Sequence, residues 1–328
     1  YLGEMLTVKL SENIGRFYPD HLAVSSQNNG EFGNHSCGSF TYTGQSFTYQ
    51  SAPELTISAY NVADMVTTNY TGGFAKLSVS DFSVAPPSTD ANQLGADNTN
   101  LVSLLWSPST PTLSDNSDGS HTFQFSNDSY QYVKQSNSQI APFSNAINLS
   151  FTTITDSDGI ETQSLPDTLQ PSGETIRFGR FAISSAHGSE LIALPITLSA
   201  EFFNGINWED NTVDQCTSLN LSTHMQLSSS MPSSWQAGTA TMTLGEGTTV
   251  GTLSNNAPFS SGKALLTFSA PGEDNRGFID VRSSIATNYN WLLGDYDSDG
   301  NYDDEATGRA SFGLFKGSEN IIFMRELY

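Results

Sequence analysis

The run LLGDYDSDGNYDDE at residues 292–305 sets aspartates at 295, 297, 299, 303 and 304 around one glycine, Gly300. Alternate residues of a loop can aim their oxygens at one centre. Hard carboxylate and carbonyl oxygens in that spacing suit Ca2+, which takes roughly six to eight of them. Asp295, Asp297 and Asp299 fall where the first, third and fifth ligands of an EF-hand loop stand. Gly300 takes the sharp-turn position, Asn301 the position that offers a backbone carbonyl, and Asp303 the ninth. The twelfth position, which holds a bidentate glutamate in an EF-hand, is Ala306. Asp304, Glu305 or a distant residue must therefore complete the shell. The rival reading is a solvated acidic turn. The flanking sequence has no helical periodicity, so the expectation is a calcium loop set between strands and not an EF-hand domain.

Other residues offer less chemistry. DSDG at 156–159 and SDNSDG at 114–119 are shorter, and Asp and Gly in such runs are ordinary turn formers. His21, His35, His121, His187 and His224 share no ligand-like spacing. There is no H-E-x-x-H, no G-x-S-x-G elbow and no phosphate-binding glycine loop. No carboxylate pair of glycosidase type stands out among the many acids. The expectation is a protein without catalytic residues. Trp106, Trp208, Trp235 and Trp291 would form a platform for sugar rings if exposed together, or core packing if not. Cys37 and Cys216 are the two cysteines: partners in one bond, or two buried thiols. Neither copy of the suspected repeat described below places them at equivalent positions.

Composition narrows the partners. The chain carries 34 acids against 12 bases, a formal charge of −22. Such a surface repels nucleic acid and anionic membranes and attracts cations. The charged fraction is only 14%, and Ser, Thr, Asn and Gly make up the polar remainder, as in exposed β-proteins. No apolar run approaches the ~20 residues of a membrane span.

The elements that must position these residues read as strands. Leu6, Val8 and Leu10 alternate with polar residues; so do Leu55, Ile57 and Ala59, and Ile147, Leu149 and Phe151. The same period of two runs from Leu194 to Phe202, from Ala240 to Leu244 and from Ala264 to Ala270. Phe40 and Tyr42, then Phe47 and Tyr49, flank Gly44 as in a hairpin, while 85–100 has the composition of a loop. GRF at 15–17 returns at 179–181, and LTISA at 55–59 is echoed by ITLSA at 196–200. The two offsets disagree, so a repeat would have diverged in its loops. The expectation is all-β: two immunoglobulin-like β-sandwich domains in tandem, 1–170 and 171–328, divided near LPDTLQPSGET.

GRFYPDH at 15–21, CGSFTYTGQSF at 37–47 and NYTGGFAKL at 69–77 carry a resemblance. It continues through ITDSDGI, IRFGRFAISSAHGSELIALPITLSAEFFNG and DQCTSL to GDYDSDGNYDDEATGRASFGLFKGSENIIFMRELY. In that order they resemble the large bacterial surface proteins related to MshQ, of the mannose-sensitive haemagglutinin (type IV) pilus system. The resemblance implies the C-terminal region of an exported, pilus-associated protein, with a lectin-like domain upstream. It implies no catalytic residues. Tyr1 then reads as a cut end and Tyr328 as the natural terminus. The function expected is an extracellular structural or adhesive module, with Ca2+ as its cofactor. Its partners would be other pilus or surface subunits, or a surface glycan. A carbohydrate-binding or carbohydrate-active protein is the alternative.

Overall fold

Period-two alternation becomes sheet because each strand has one face to bury and one to expose. The computed structural model describes residues 18–33, 37, 39–89, 102–253 and 259–313. Among them, helix is limited to Leu221–His224 and three short 3-10 turns. The expected strand at Leu6–Leu10, the first GRF and His35 lie outside the described residues, as do 90–100 of the expected loop.

The first half is built on a four-stranded antiparallel sheet. Its order is His21–Asn28, Glu54–Tyr60, Ser120–Gln124 and Thr112–Asp115. Leu22, Leu55, Ile57 and Phe123 turn inward from it. They meet Phe47, Tyr49, Tyr130 and Tyr132 from shorter strands opposite. Aromatic rings dominate this core: Phe32 lies within 5.2 Å of Phe47, Tyr49 and Tyr130. The run from Ile147 to Phe151 buries all three apolar residues but splits into two short strands, each with its own partner. The stretch read as a loop from 85 contains one of those partners, Ser88–Thr89.

The second half is a sandwich of two sheets. In one, the path runs Gly179–Ile183, Leu194–Phe203, Lys263–Phe268, Gly247–Leu253 and Thr241–Leu244, all antiparallel. The other runs Ala186–Gly188, Thr307–Phe312, Gly277–Ser283, Met225–Ser228 and Gln236–Ala237. Only Ala186–Gly188 is parallel to its neighbour. This is the immunoglobulin arrangement: Gly179–Ile183 and Leu194–Phe203 share one sheet with three later strands, and the last two strands pair with Met225–Ser228 and with Ala186–Gly188 in the other. Ile196, Leu198, Leu266 and Phe268 face Leu227, Ile279, Val281 and Phe312 across one core.

The hairpin expected at Gly44 is not formed. Gly44 does turn the chain, with φ +87°. Phe40–Tyr42 then pairs in parallel with Thr175–Arg177, while Ser46–Phe47 pairs with Ser129–Tyr132. The side chains of Phe40 and Tyr42, with Cys37, point into the second core. One short segment of the first half is thus part of the packing of the other.

Candidate metal centre

The acidic loop runs from the 3-10 turn Asn290–Leu292 to the strand Thr307–Phe312. Its base is closed by reciprocal backbone hydrogen bonds between Gly294 and Asp304, at 3.0 and 2.8 Å. That pairing brings one oxygen each of Asp295, Asp297 and Asp304 within 4.8 Å of one another. Among the described residues no other His, Cys, Asp or Glu group is so close. Gly300 takes φ +88°, a conformation that favours glycine.

The other sequence-predicted ligands have different work. The Asp299 carboxylate accepts from the backbone N–H of Asn301 at 2.7 Å and from its amide at 2.9 Å, which lower its pKa. Asp303 stands outside the trio, and Asp304 takes its place. Asp304 Oδ2 accepts from the backbone N–H groups of Tyr296 and Asp297. Glu305 turns inward instead and accepts from the backbone of Ile285 and Ala286 and from the Ser283 hydroxyl.

Electrostatics favours a cation. The N–H of Asp299 pulls the Asp297 carboxyl down, but desolvation and repulsion from Asp299, Asp304 and Asp295 outweigh it, leaving its pKa raised. Asp295 Oδ1 is enclosed and has no hydrogen-bond donor. An enclosed carboxylate oxygen without a donor costs free energy that a metal ion would offset. The donor set is all oxygen, as Ca2+ requires. The residues fit the ion, and Asp295, Asp297 and Asp304 are the side chains that would hold it.

The two shorter acidic runs are built differently. Asp156 is buried and accepts from the Tyr70 hydroxyl and from the backbone of Asp158 and Ile160. Asp115 accepts from the Thr71 hydroxyl, Gly72 and Ser117, and these bonds, Thr71 first, lower it to about 2. Asp118 accepts from Ser120. Donors fill the oxygens, so these aspartates staple turns.

Around the acidic loop the two halves are locked together. Tyr302 donates its backbone N–H to Ser136 at 2.6 Å, bonds Gln139 through its hydroxyl, and packs its ring on Phe178 and Trp208. Within the second half, the Tyr296 hydroxyl ties the loop to the Phe181 carbonyl. Lys134, from the first half, donates to the carbonyls of Gly179, Trp291 and Leu293 at 2.9, 2.9 and 2.6 Å. Burial pushes this ammonium down to about 7, while the three carbonyls favour its charged form. On the other side of the joint Cys37 and Cys216 are disulfide-bonded, with Cα atoms 4.5 Å apart. Beside them the fully buried Asp214 accepts from the Tyr42 hydroxyl at 2.8 Å, from the backbone of Cys216 and Thr217, and from the Thr217 hydroxyl. Asn211 donates to Tyr42 and accepts from Arg177. Sequence pattern does not single out Lys134 or Tyr302, whose partners lie far along the chain, or Asp214, whose local bonds are those of any turn aspartate and whose Tyr42 donor is 172 residues away.

The tryptophans do not gather on one platform. Trp106 and Trp208 pack against the first core and Trp291 against the second. Trp235 lines the outer face of the five-stranded sheet. Among the described residues no helix is long and apolar enough to cross a membrane.

Fold and site together define an all-β module of two joined sandwiches, with an acidic loop at the joint. The chain belongs to the DUF6701 family: residues 1–178 match its third domain and residues 177–327 its fourth. No curated protein matches significantly. Solved structures give distant likenesses. The titin domains Z1Z2 in complex with telethonin share 10% identity, over 90% of this chain and 97% of that one, with a TM-score of 0.24. The D00-D0 domain of intimin shares 12%, over 89% and 99%, with a TM-score of 0.21. At such scores the fold assignment rests on the sheets themselves.

Proposed function

We propose that this chain is an extracellular structural and adhesive module of an MshQ-like surface protein associated with a mannose-sensitive haemagglutinin pilus, stabilised by Ca2+ bound to Asp295, Asp297 and Asp304. The observation that carries the reading is the joint. A disulfide, a buried Tyr42–Asp214–Asn211–Arg177 network and the Lys134 clamp hold two sandwiches as one stiff body. A stiff body suits a stalk or a head that carries load, and its work is binding, not catalysis. A disulfide in a chain of this size fits an oxidising compartment. The −22 charge suits solubility outside the cell and attraction for Ca2+. The partners that follow are other pilus or surface subunits and a surface glycan.

The test is antibody labelling of intact cells that make the full-length protein. Label on the surface, reduced when the pilus system is deleted, is expected. Label that appears only after lysis sinks the reading.

A further inference from the structure

We infer that the outer face of the five-stranded sheet in the second half binds an acidic saccharide, through guanidinium groups and an indole ring. This deepens the adhesive reading above, and rests on it for biological context, by naming a ligand class. Two contiguous hollows of about 590 and 380 Å3 lie along this face and share Arg309. Arg276, Phe278 and Ser311 line the first, and Trp235 and Asp280 the second.

The charge of this face is unlike the rest of the molecule. Of the eight Lys and Arg in the described residues, Arg276, Arg282 and Arg309 stand here. Arg276 lies 3.8 Å from the exposed Asp274, and elsewhere Arg180 and Lys263 are paired with Glu201 and Asp210, while Lys134 and Arg177 are engaged at the joint. On this face the ladder sets the groups in register. Asp280 lies opposite Arg309, and Arg282 opposite Thr307 on one side and Gln226 on the other. Arg309 is held in place: it bonds Asp280 at 2.5 and 3.0 Å and lies over the Phe278 ring at 4.1 Å. Arg282 is not held in this way. Its guanidinium sits 6.0 Å from the Trp235 ring and forms no ion pair or hydrogen bond among the described residues. The Trp235 indole N–H likewise has no acceptor among them.

The free guanidinium fork of Arg282 beside a half-buried indole matches one chemistry. A guanidinium binds a carboxylate in two parallel hydrogen bonds. An indole face stacks on the apolar face of a pyranose, and its N–H serves a ring hydroxyl. A uronic-acid chain presents both features in repetition, and the two hollows have room for consecutive sugar units. The strongly negative remainder of the protein would repel such a chain everywhere but here.

The experiment titrates the purified full chain with a galacturonic-acid tetramer and, separately, with a neutral mannose tetramer, by calorimetry and by the Trp235 indole signal in NMR. The expected result is binding of the acidic tetramer only, weakened by added salt. Arg282→Gln and Trp235→Ala should each weaken it about tenfold or more, with melting temperatures unchanged. Three results would overturn the proposal: no binding, equal binding of the neutral tetramer, or binding untouched by both substitutions. Self-association abolished by Arg282→Gln would overturn it as well, in favour of a second copy of this negatively charged chain. Any of these failures leaves the surface-labelling test of the pilus reading unaffected.

Discussion

His121 is buried on the strand Ser120–Gln124, with its ring edge-on to Tyr70 and its Nε2 3.9 Å from Asp115. Its Nδ1 has no partner. Burial lowers its pKa by more than Asp115 and Asp118 raise it. The sign for stability follows. Above the ordinary histidine value, about 6.5, both folded and unfolded chains hold the ring neutral. As pH falls through that value the unfolded chain takes up a proton that the folded chain resists, so stability drops until the lower, folded pKa is passed. His224, also lowered by burial, acts in the same direction. Protonation of carboxylates alters stability over the same range, so the informative quantity is a difference. The loss of melting temperature between pH 7.5 and pH 5 should be smaller in His121→Asn than in the wild type, and an equal loss would refute the account. Why the sequence did not single out such residues is a matter of partners. Asp156 and Asp214 look like any turn aspartate, and their tyrosine donors lie 86 and 172 residues away.

At the scale of elements, alternation revealed which face of a strand is buried, and Leu55, Ile57, Ile196, Leu198, Leu266 and Phe268 are all buried as it requires. LTISA and ITLSA even occupy the same place, second from the edge strand of their sheets. Alternation carries no information about the partner strand, which is how two strands beside Gly44 read as a hairpin and joined different sheets. The acidic loop shows the same division. Spacing points to the loop and its glycine; that Asp304 and not Asp303 stands beside Asp295 and Asp297 follows from the Gly294–Asp304 pairing, which joins residues ten apart. That choice can be measured. Calcium at a hundred times its dissociation constant should add about 2.7 kcal/mol to the folded state. The rise in melting temperature with calcium over chelator should vanish in Asp297→Ala and Asp304→Asn and persist in Asp303→Asn. A rise lost in Asp303→Asn and kept in Asp304→Asn would restore the ligand set that spacing alone suggests. No rise in the wild type would leave a solvated turn.

The whole molecule is two sandwiches that cannot be separated along the line where the third and fourth domain matches meet, at residues 177–178, without damage to the second. Its core includes Cys37, Phe40 and Tyr42, all essentially inaccessible. In a fragment of residues 179–328 the hollow left by those rings would expose the apolar side chains around it, and Asp214 would lose its Tyr42 donor. Losing a buried aromatic side chain costs roughly 3–5 kcal/mol, a large share of a typical domain's stability. The fragment should therefore bind a hydrophobic dye and unfold at lower denaturant, over a broader range, than the intact chain. Replacing both cysteines by serine in the intact chain is a milder change, because Phe40 and Tyr42 remain in place. The 179-residue separation of the cysteines then removes only the closure of a long loop, about 2–5 kcal/mol. The order expected is intact chain, double serine variant, then fragment. Packing across the joint sets that order. A fragment as stable as the intact chain would show that the first half lends the second nothing, and the stiff-body reading of the joint would fall with it.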